Sequence, residues 1–86
     1  DLTVKADHLR ANHDYLVAEL IREQDGMVLP GFAAADCAPI AADADAAIVR
    51  WNGTGIGEAA PAESIRIRFH LVGDGVRFYC FGFSTL

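Results

Sequence analysis

The sequence lacks the segments that indicate a membrane or nucleic acid partner. No apolar run approaches the roughly 20 residues needed to cross a bilayer. The 86 residues include seven lysines and arginines against twelve acidic residues, and the formal net charge is −5. Phosphate groups are bound by clustered basic residues, and no such cluster is present. We therefore predict that neither a membrane nor nucleic acid is a partner.

The chain also has few residues suited to disulfides, metals or catalysis. Two cysteines, Cys37 and Cys80, do not make a disulfide framework, and we predict that both are free, buried thiols. His8, His13 and His70 lack the spacing of a zinc site. No nucleophile has an evident base, and no carboxylate pair resembles a general acid and base. We predict no catalytic residue, metal or cofactor.

Three aspartates, Asp36, Asp43 and Asp45, lie in or near the alanine-rich stretch "AAADCAPIAADADAA". They lack the regular spacing and the glycine of an EF-hand calcium loop. Pro39 disfavours a helix through this stretch because proline has no N–H. We predict a long connection ordered by aspartate-to-backbone hydrogen bonds.

Strand patterns occur at both ends of the chain, which is 52% hydrophobic. "DLTVKAD" alternates apolar and polar residues and predicts a half-buried strand. "AIVRW" predicts a short strand in which Ile48 and Arg50 oppose Val49 and Trp51. The chain begins at Asp1 without methionine, so we expect a trimmed or excised segment of a longer product that forms a single domain over residues 1–86.

The closing stretch "ESIRIRFHLVGDGVRFYCFGFSTL" predicts a hairpin with its turn at "GDG". One side of the predicted hairpin is core-facing and contains Ile65, Ile67, Phe69, Leu71, Val76, Phe78 and Cys80. The opposite side contains Arg66, Arg68, His70, Arg77, Tyr79, Phe81 and Phe83. On this side the pairing predicts Arg68 near Tyr79, Arg66 near Phe81 and His70 near Arg77. The last strand therefore carries aromatic residues on both faces, which suggests that it lies between two layers or presents a binding platform.

"YLVAELIREQDG" fits helical spacing slightly better than strand spacing, but its Asp25-Gly26 turn and the following apolar run "MVLPGF" favour a hairpin.

Several motifs resemble, in order and spacing, the β-rich tail that follows the propeller of family-32-like glycoside hydrolase proteins. These motifs are "DGMVLPGF", "DCAPIAAD", "VRWNG", "SIRIRFHL" and "VRFYCFGF". The matching residues are Asp25, Gly26, Pro30, Gly31, Phe32, Asp36, Cys37, Pro39, Ile40, Asp43, Val49, Trp51, Gly53, Arg66, Arg68, Phe69, Leu71, Tyr79, Phe81 and Phe83. The resemblance implies that "YLVAELIREQDG" is a strand.

The fold we expect is all-β, a small antiparallel sandwich or jelly-roll-like unit of about six strands. The resemblance implies a non-catalytic accessory module of a carbohydrate-active protein, because these 86 residues do not include the propeller that carries the catalytic acids of such proteins. Its expected partner is a polysaccharide or oligosaccharide. The candidate ligand-binding residues are Arg66, Arg68 and Tyr79, with Trp51 as a second platform, because aromatic rings stack on sugars and arginines donate hydrogen bonds to hydroxyls.

The alternative interpretation is a structural or protein-interaction β-domain. In that case the outward aromatic face packs on a parent catalytic domain or on a second copy, since an exposed apolar patch marks an interaction surface of either kind.

Overall fold

A computed structural model describes residues 1–10, 13–58 and 64–83, which form two packed antiparallel β-sheets. The strands are β1 (Leu2–Asp7), β2 (Tyr15–Arg22), β3 (Ala44–Val49), β4 (Ile65–Val72) and β5 (Arg77–Phe83), and short 3₁₀ turns span Ala34–Asp36 and Ile56–Glu58. The first sheet has the strand order β3-β1-β5, and the second consists of β2 and β4.

The predicted all-β fold is confirmed, with five strands in the described part of the chain. The run "MVLPGF", expected to pair as a strand, forms an isolated bridge between Val28 and Ile21 and further backbone hydrogen bonds to β2, but it is not a strand.

β1 is the central strand of the first sheet, and its predicted alternation is confirmed. Leu2, Val4 and Ala6 are buried, whereas Lys5 is exposed. β3 starts earlier than its apolar pattern indicates, at Ala44, because its first residues pair with the end of β1.

β2 is buried over six consecutive residues, 16–21, and this explains its ambiguous periodicity. Leu16, Ala18 and Leu20 face the core between the sheets, while Val17 and Glu19 lie on the outer face opposite His70 and Arg68 of β4. Because the outer face also carries the buried, apolar Val17 and Ile21, Glu19 is too isolated a polar position to reveal a period of two. The strand assignment implied by the resemblance is confirmed.

The predicted closing hairpin is wrong, because β4 and β5 lie in different sheets. β4 pairs with β2 over its whole length, and β5 pairs with β1. The turn at Gly73 to Gly75 therefore carries the chain from one sheet to the other. Phe69 of β4 meets Phe78 of β5 through their rings, with centroids 4.7 Å apart. Each strand has one apolar face, and stacking those faces buries them between the layers, which side-by-side pairing would not do.

A bulge in β5 explains why the sequence pattern places aromatic residues on both faces of this strand. Lys5 pairs with Cys80 and Ala6 with Phe78, so Tyr79 is an extra residue without a partner on β1. The extra residue shifts the alternation by one position. Phe81 and Phe83, opposite the buried Val4 and Leu2, therefore lie on the same inward face as Phe78.

The expected burial of the closing strands is met only in part. Ile65, Ile67, Phe69 and Phe78 are half-buried and pack on the core. Cys80 is exposed, because it follows the bulge at Tyr79 and pairs with the outward-facing Lys5. Both cysteines are free, as predicted, but only Cys37 is buried, and this burial raises the pKa of its thiol.

One side of the sandwich is closed by the segment 27–40. Leu16 and Ile40 exchange two backbone hydrogen bonds of 2.9 Å, and the Phe32 carbonyl accepts one from the Leu20 N–H. Trp51 is fully buried against this segment, where its indole N–H donates to the Ala18 carbonyl at 2.8 Å and its ring meets Phe32 edge-on. These contacts join the two sheets along the side formed by β2 and β3.

Candidate functional site

The opposite side of the sandwich is open between β4 and β5. Among the described residues, neither strand has a partner on its second edge. The aromatic row, which we define as Phe69, Phe78, Phe81 and Phe83, lies between these two edges. Adjacent rings along it have centroids 4.7 to 6.0 Å apart. The side chains of Phe81 and Phe83 are 48% and 67% exposed, although they lie on the inward face of their sheet. Exposed apolar patches of this kind mark interaction surfaces.

The four predicted ligand-binding residues do not come together. Arg66 and Arg68 lie on the outer face of the second sheet, and Tyr79 lies on the outer face of the first sheet, beside Lys5 and Asp7. Trp51 is fully buried and cannot serve as a stacking platform. The predicted neighbours of Arg66, Arg68 and His70 on β5 are wrong, because β4 pairs with β2 instead of β5.

The outer face of the second sheet carries a small ion-pair network. Glu19 is nearly buried, and its Oε1 lies 3.1 Å from His70 Nε2 and accepts from Arg68 Nη1 at 3.0 Å. The hydrogen bond with His70 is the main cause that lowers the pKa of Glu19, with Arg68 adding to it and burial opposing it. Arg66 donates to Glu23 at 3.1 Å in a more exposed pair. These contacts satisfy the carboxylates while leaving the arginine heads largely in solvent.

Tyr79 contributes to a groove on the outer face of the first sheet. This Tyr79 groove, a surface cavity of about 310 Å³, is lined by Lys5, Ala6, Asp7, Asp43, Ala44, Asp45 and Tyr79. The Tyr79 hydroxyl donates to the Asp7 carboxylate at 3.0 Å, and Lys5 Nζ lies 5.6 Å from the ring centroid. The groove therefore combines a half-exposed ring with carboxylate acceptors and an ammonium donor.

Most residues of the Tyr79 groove were absent from the predicted site. The alternation of β1 does place Lys5 and Asp7 on one outward face. The bulge that aims Tyr79 toward them, and the pairing that adds Asp45, depend on contacts between distant strands. Asp43, which is predicted to order the alanine-rich connection, accepts a hydrogen bond from the Leu9 N–H through its Oδ1 at 3.0 Å.

A third polar cluster holds the connection between β1 and β2. Asp14 is fully buried and accepts hydrogen bonds from Arg10 through the backbone N–H, Nε and Nη2, at 2.9 to 3.1 Å. The bonds from the Arg10 side chain are the largest cause that lowers the pKa of Asp14 to about 2. All of these contacts lie within one loop and its flanking turn, so the cluster is structural.

Comparison with known proteins adds no relative: no protein-family model, curated protein or solved structure matches the chain. The resemblance to the glycosidase tail modules therefore stays a prediction. In the described ranges, no group of three His, Cys, Asp or Glu residues could hold a metal ion. The same ranges contain no helix with the length and apolar character needed to span a bilayer.

Proposed function

We propose that this chain is a docking domain whose open side packs on a protein partner, either a domain of its parent protein or a second copy. The observation that carries the proposal is the exposure of Phe81 and Phe83 on an inward face, between two strands whose second edges have no partner among the described residues. An inward aromatic face is normally covered by the opposite sheet. In the part of the chain that the structure describes, the second sheet has two strands, so an external surface would cover what β4 leaves exposed.

Replacing Phe81 and Phe83 together with serine should abolish docking while leaving the fold intact, because both rings are about half exposed or more. Sedimentation and amide hydrogen exchange should be measured on this chain and on the gene product that contains it. We expect slow amide exchange in β5, either in the isolated chain or in the whole gene product. The double variant should lose this protection. Ile48→Ser is the matched control, since Ile48 is 44% exposed on the far strand of the same sheet.

At about 1 mM chain, even a dimer with a binding free energy of about −4 kcal/mol would be populated. A monomeric chain at this concentration would therefore exclude a second copy as the partner. If the chain is monomeric, equal exchange of β5 in the isolated chain and in the whole gene product would contradict docking altogether.

A second candidate function, glycan binding by an accessory module of a carbohydrate-active protein, is favoured by the Tyr79 groove. Sugar sites combine a ring that stacks on the sugar face with charged groups that bind hydroxyls. Tyr79, Asp7 and Lys5 supply this combination. Arg66 and Arg68 remain candidates only for a separate surface, because they lie on the other sheet.

Fructans, xylans and glucans should be titrated while NMR shifts of β1 and β5 are followed. Under this proposal Tyr79→Ala loses binding, while Tyr79→Phe retains the ring and most of the affinity. Arg66→Gln, on the other sheet, is the control. Unchanged spectra at millimolar glycan, or unchanged affinity in Tyr79→Ala, would contradict a glycan site in this groove.

A further inference from the structure

We propose that the free edge of β4 binds an extended protein segment in which apolar residues alternate with aspartate or glutamate. The inference rests on the proposed docking function and specifies its mode and its partner. A strand edge offers a row of backbone donors and acceptors, and an extended segment can pair with them as an added strand. Three features support this mode: the regular edge of β4, the aromatic row beside it and the charged side chains along it.

β4 is the better of the two open edges for such pairing. It is eight residues long and pairs with β2 from Ile65 to Val72 without a register shift. β5 is bulged at Tyr79, and a bulge interrupts the regular ladder that a new strand needs. An added strand beside β4 would extend the second sheet from two strands to three.

The third strand would also cover the aromatic row. Phe69 of β4 lies over Phe78 and Phe81 of β5, with ring centroids 4.7 and 5.5 Å apart. A strand added beyond β4 would therefore lie along the open side next to these rings, where Phe81 and Phe83 are exposed. Its inward positions should be apolar, which requires apolar residues at every second position.

The outward positions of the partner should be acidic. β4 presents Arg66, Arg68 and His70 in a row on its outer face, and neither β4 nor β5 contains an acidic residue, in a chain whose net charge is −5. The side chains of Arg66 and Arg68 are 71% and 58% exposed, and each binds its glutamate through one nitrogen. A guanidinium has five N–H donors, so donors remain for a second carboxylate. β2 already places Glu19 opposite Arg68 on the other edge.

The same charges disfavour a second copy at this edge. Antiparallel pairing of β4 with β4 of another copy, about a two-fold axis, keeps the outward side chains on one face. In one register Arg68 would then lie opposite Arg68, and in the neighbouring register Arg66 would lie opposite Arg68. Like charges directly opposite each other destabilise a strand pair, so the occupant should be a different, acidic segment.

The test uses a capped synthetic peptide of eight residues, the length of β4, in which valine alternates with glutamate. Binding to the wild-type chain is followed by NMR shifts of β4 amides. We expect binding that Arg66→Gln weakens about two- to fivefold and that Phe81→Ser weakens about tenfold. Arg50→Gln, an exposed arginine next to β3, is the matched control and should bind as the wild type does.

Two further peptides separate the parts of the inference. A peptide with lysine in place of glutamate should fail to bind, and equal binding would overturn the acidic partner. A glutamate peptide N-methylated at alternate residues should also fail, and equal binding would overturn strand addition. Dimerisation of the wild type through β4 would overturn the choice of partner. If no peptide binds while β5 is still protected in a Phe81-dependent manner, this inference fails and the docking function stands.

Discussion

Trp51→Ala is expected to leave the chain largely unfolded. The Trp51 side chain has no exposure to solvent, and it fills the core where the segment 27–40 closes the sandwich. Truncating a buried tryptophan to alanine costs about 3–5 kcal/mol, and small domains are stable by only about 5–15 kcal/mol in total. The Ala18 carbonyl would also lose its 2.8 Å bond from the indole N–H, and an unpaired buried acceptor adds about 1–3 kcal/mol.

Urea unfolding followed by far-UV circular dichroism measures the effect. Trp51→Phe retains most of the apolar volume but not the N–H, so its midpoint should lie between those of Trp51→Ala and the wild type. Phe83→Ala, which truncates a ring that is 67% exposed, should change the unfolding free energy far less. A Trp51→Ala chain with the wild-type midpoint would show that the closed side is not packed around this residue.

Gly73→Ala is expected to be the second most damaging single change. Gly73 has a φ of +133°, which residues with a side chain rarely adopt, and a Cβ at this position would overlap the Asp14 side chain. Backbone strain of this kind costs about 1–3 kcal/mol. The buried Asp14, which Arg10 holds by hydrogen bonds, has no room to withdraw.

Gly75→Ala in the same turn is the matched control. A Cβ at Gly75 would meet no atom within 4 Å, and its φ is not positive. Its unfolding free energy should stay within about 0.5 kcal/mol of the wild-type value, while that of Gly73→Ala falls by about 2 kcal/mol or more. Equal effects of the two substitutions in chemical denaturation would contradict the close packing of Asp14 on the turn.

Both substitutions affect the framework that holds the open side in place. Trp51 joins the sheets on the closed side, and Gly73 lies in the turn from β4 to β5. The residues that carry the proposed docking function, Phe81 and Phe83, are themselves largely exposed. Stability and docking should therefore separate by mutation, and this is what makes the docking proposal testable without unfolding the domain.

Local patterns predicted the strands well and their partners poorly. Leu2, Val4 and Ala6 could be assigned to the core from alternation, because one face of β1 is buried and the other meets solvent. The closing strands also alternate as predicted up to Phe78. Their assignment to one hairpin failed because a short glycine-containing turn can join two strands within a sheet or across two sheets. The choice depends on which other strands are available to pair.

The candidate site failed for the same reason. Arg66, Arg68 and Tyr79 were grouped through a pairing that does not exist, and the lone Trp51 belongs to the core. Asp7 and Lys5 approach Tyr79 only because β1 lies next to β5, more than 70 residues away in the chain.

The sequence by itself determined that this chain is all-β, that β1, β4 and β5 are strands and that one face of β1 is buried. These properties follow from the period of two and from local turn chemistry, which neighbouring residues decide. Tertiary structure alone decided that β4 and β5 separate into two sheets, that a bulge turns Phe81 and Phe83 inward, and that no described residue pairs with the second edges of β4 and β5. Strand order and register come from contacts between residues far apart in the chain, because a strand can satisfy its backbone hydrogen bonds with any partner strand and its burial selects among them.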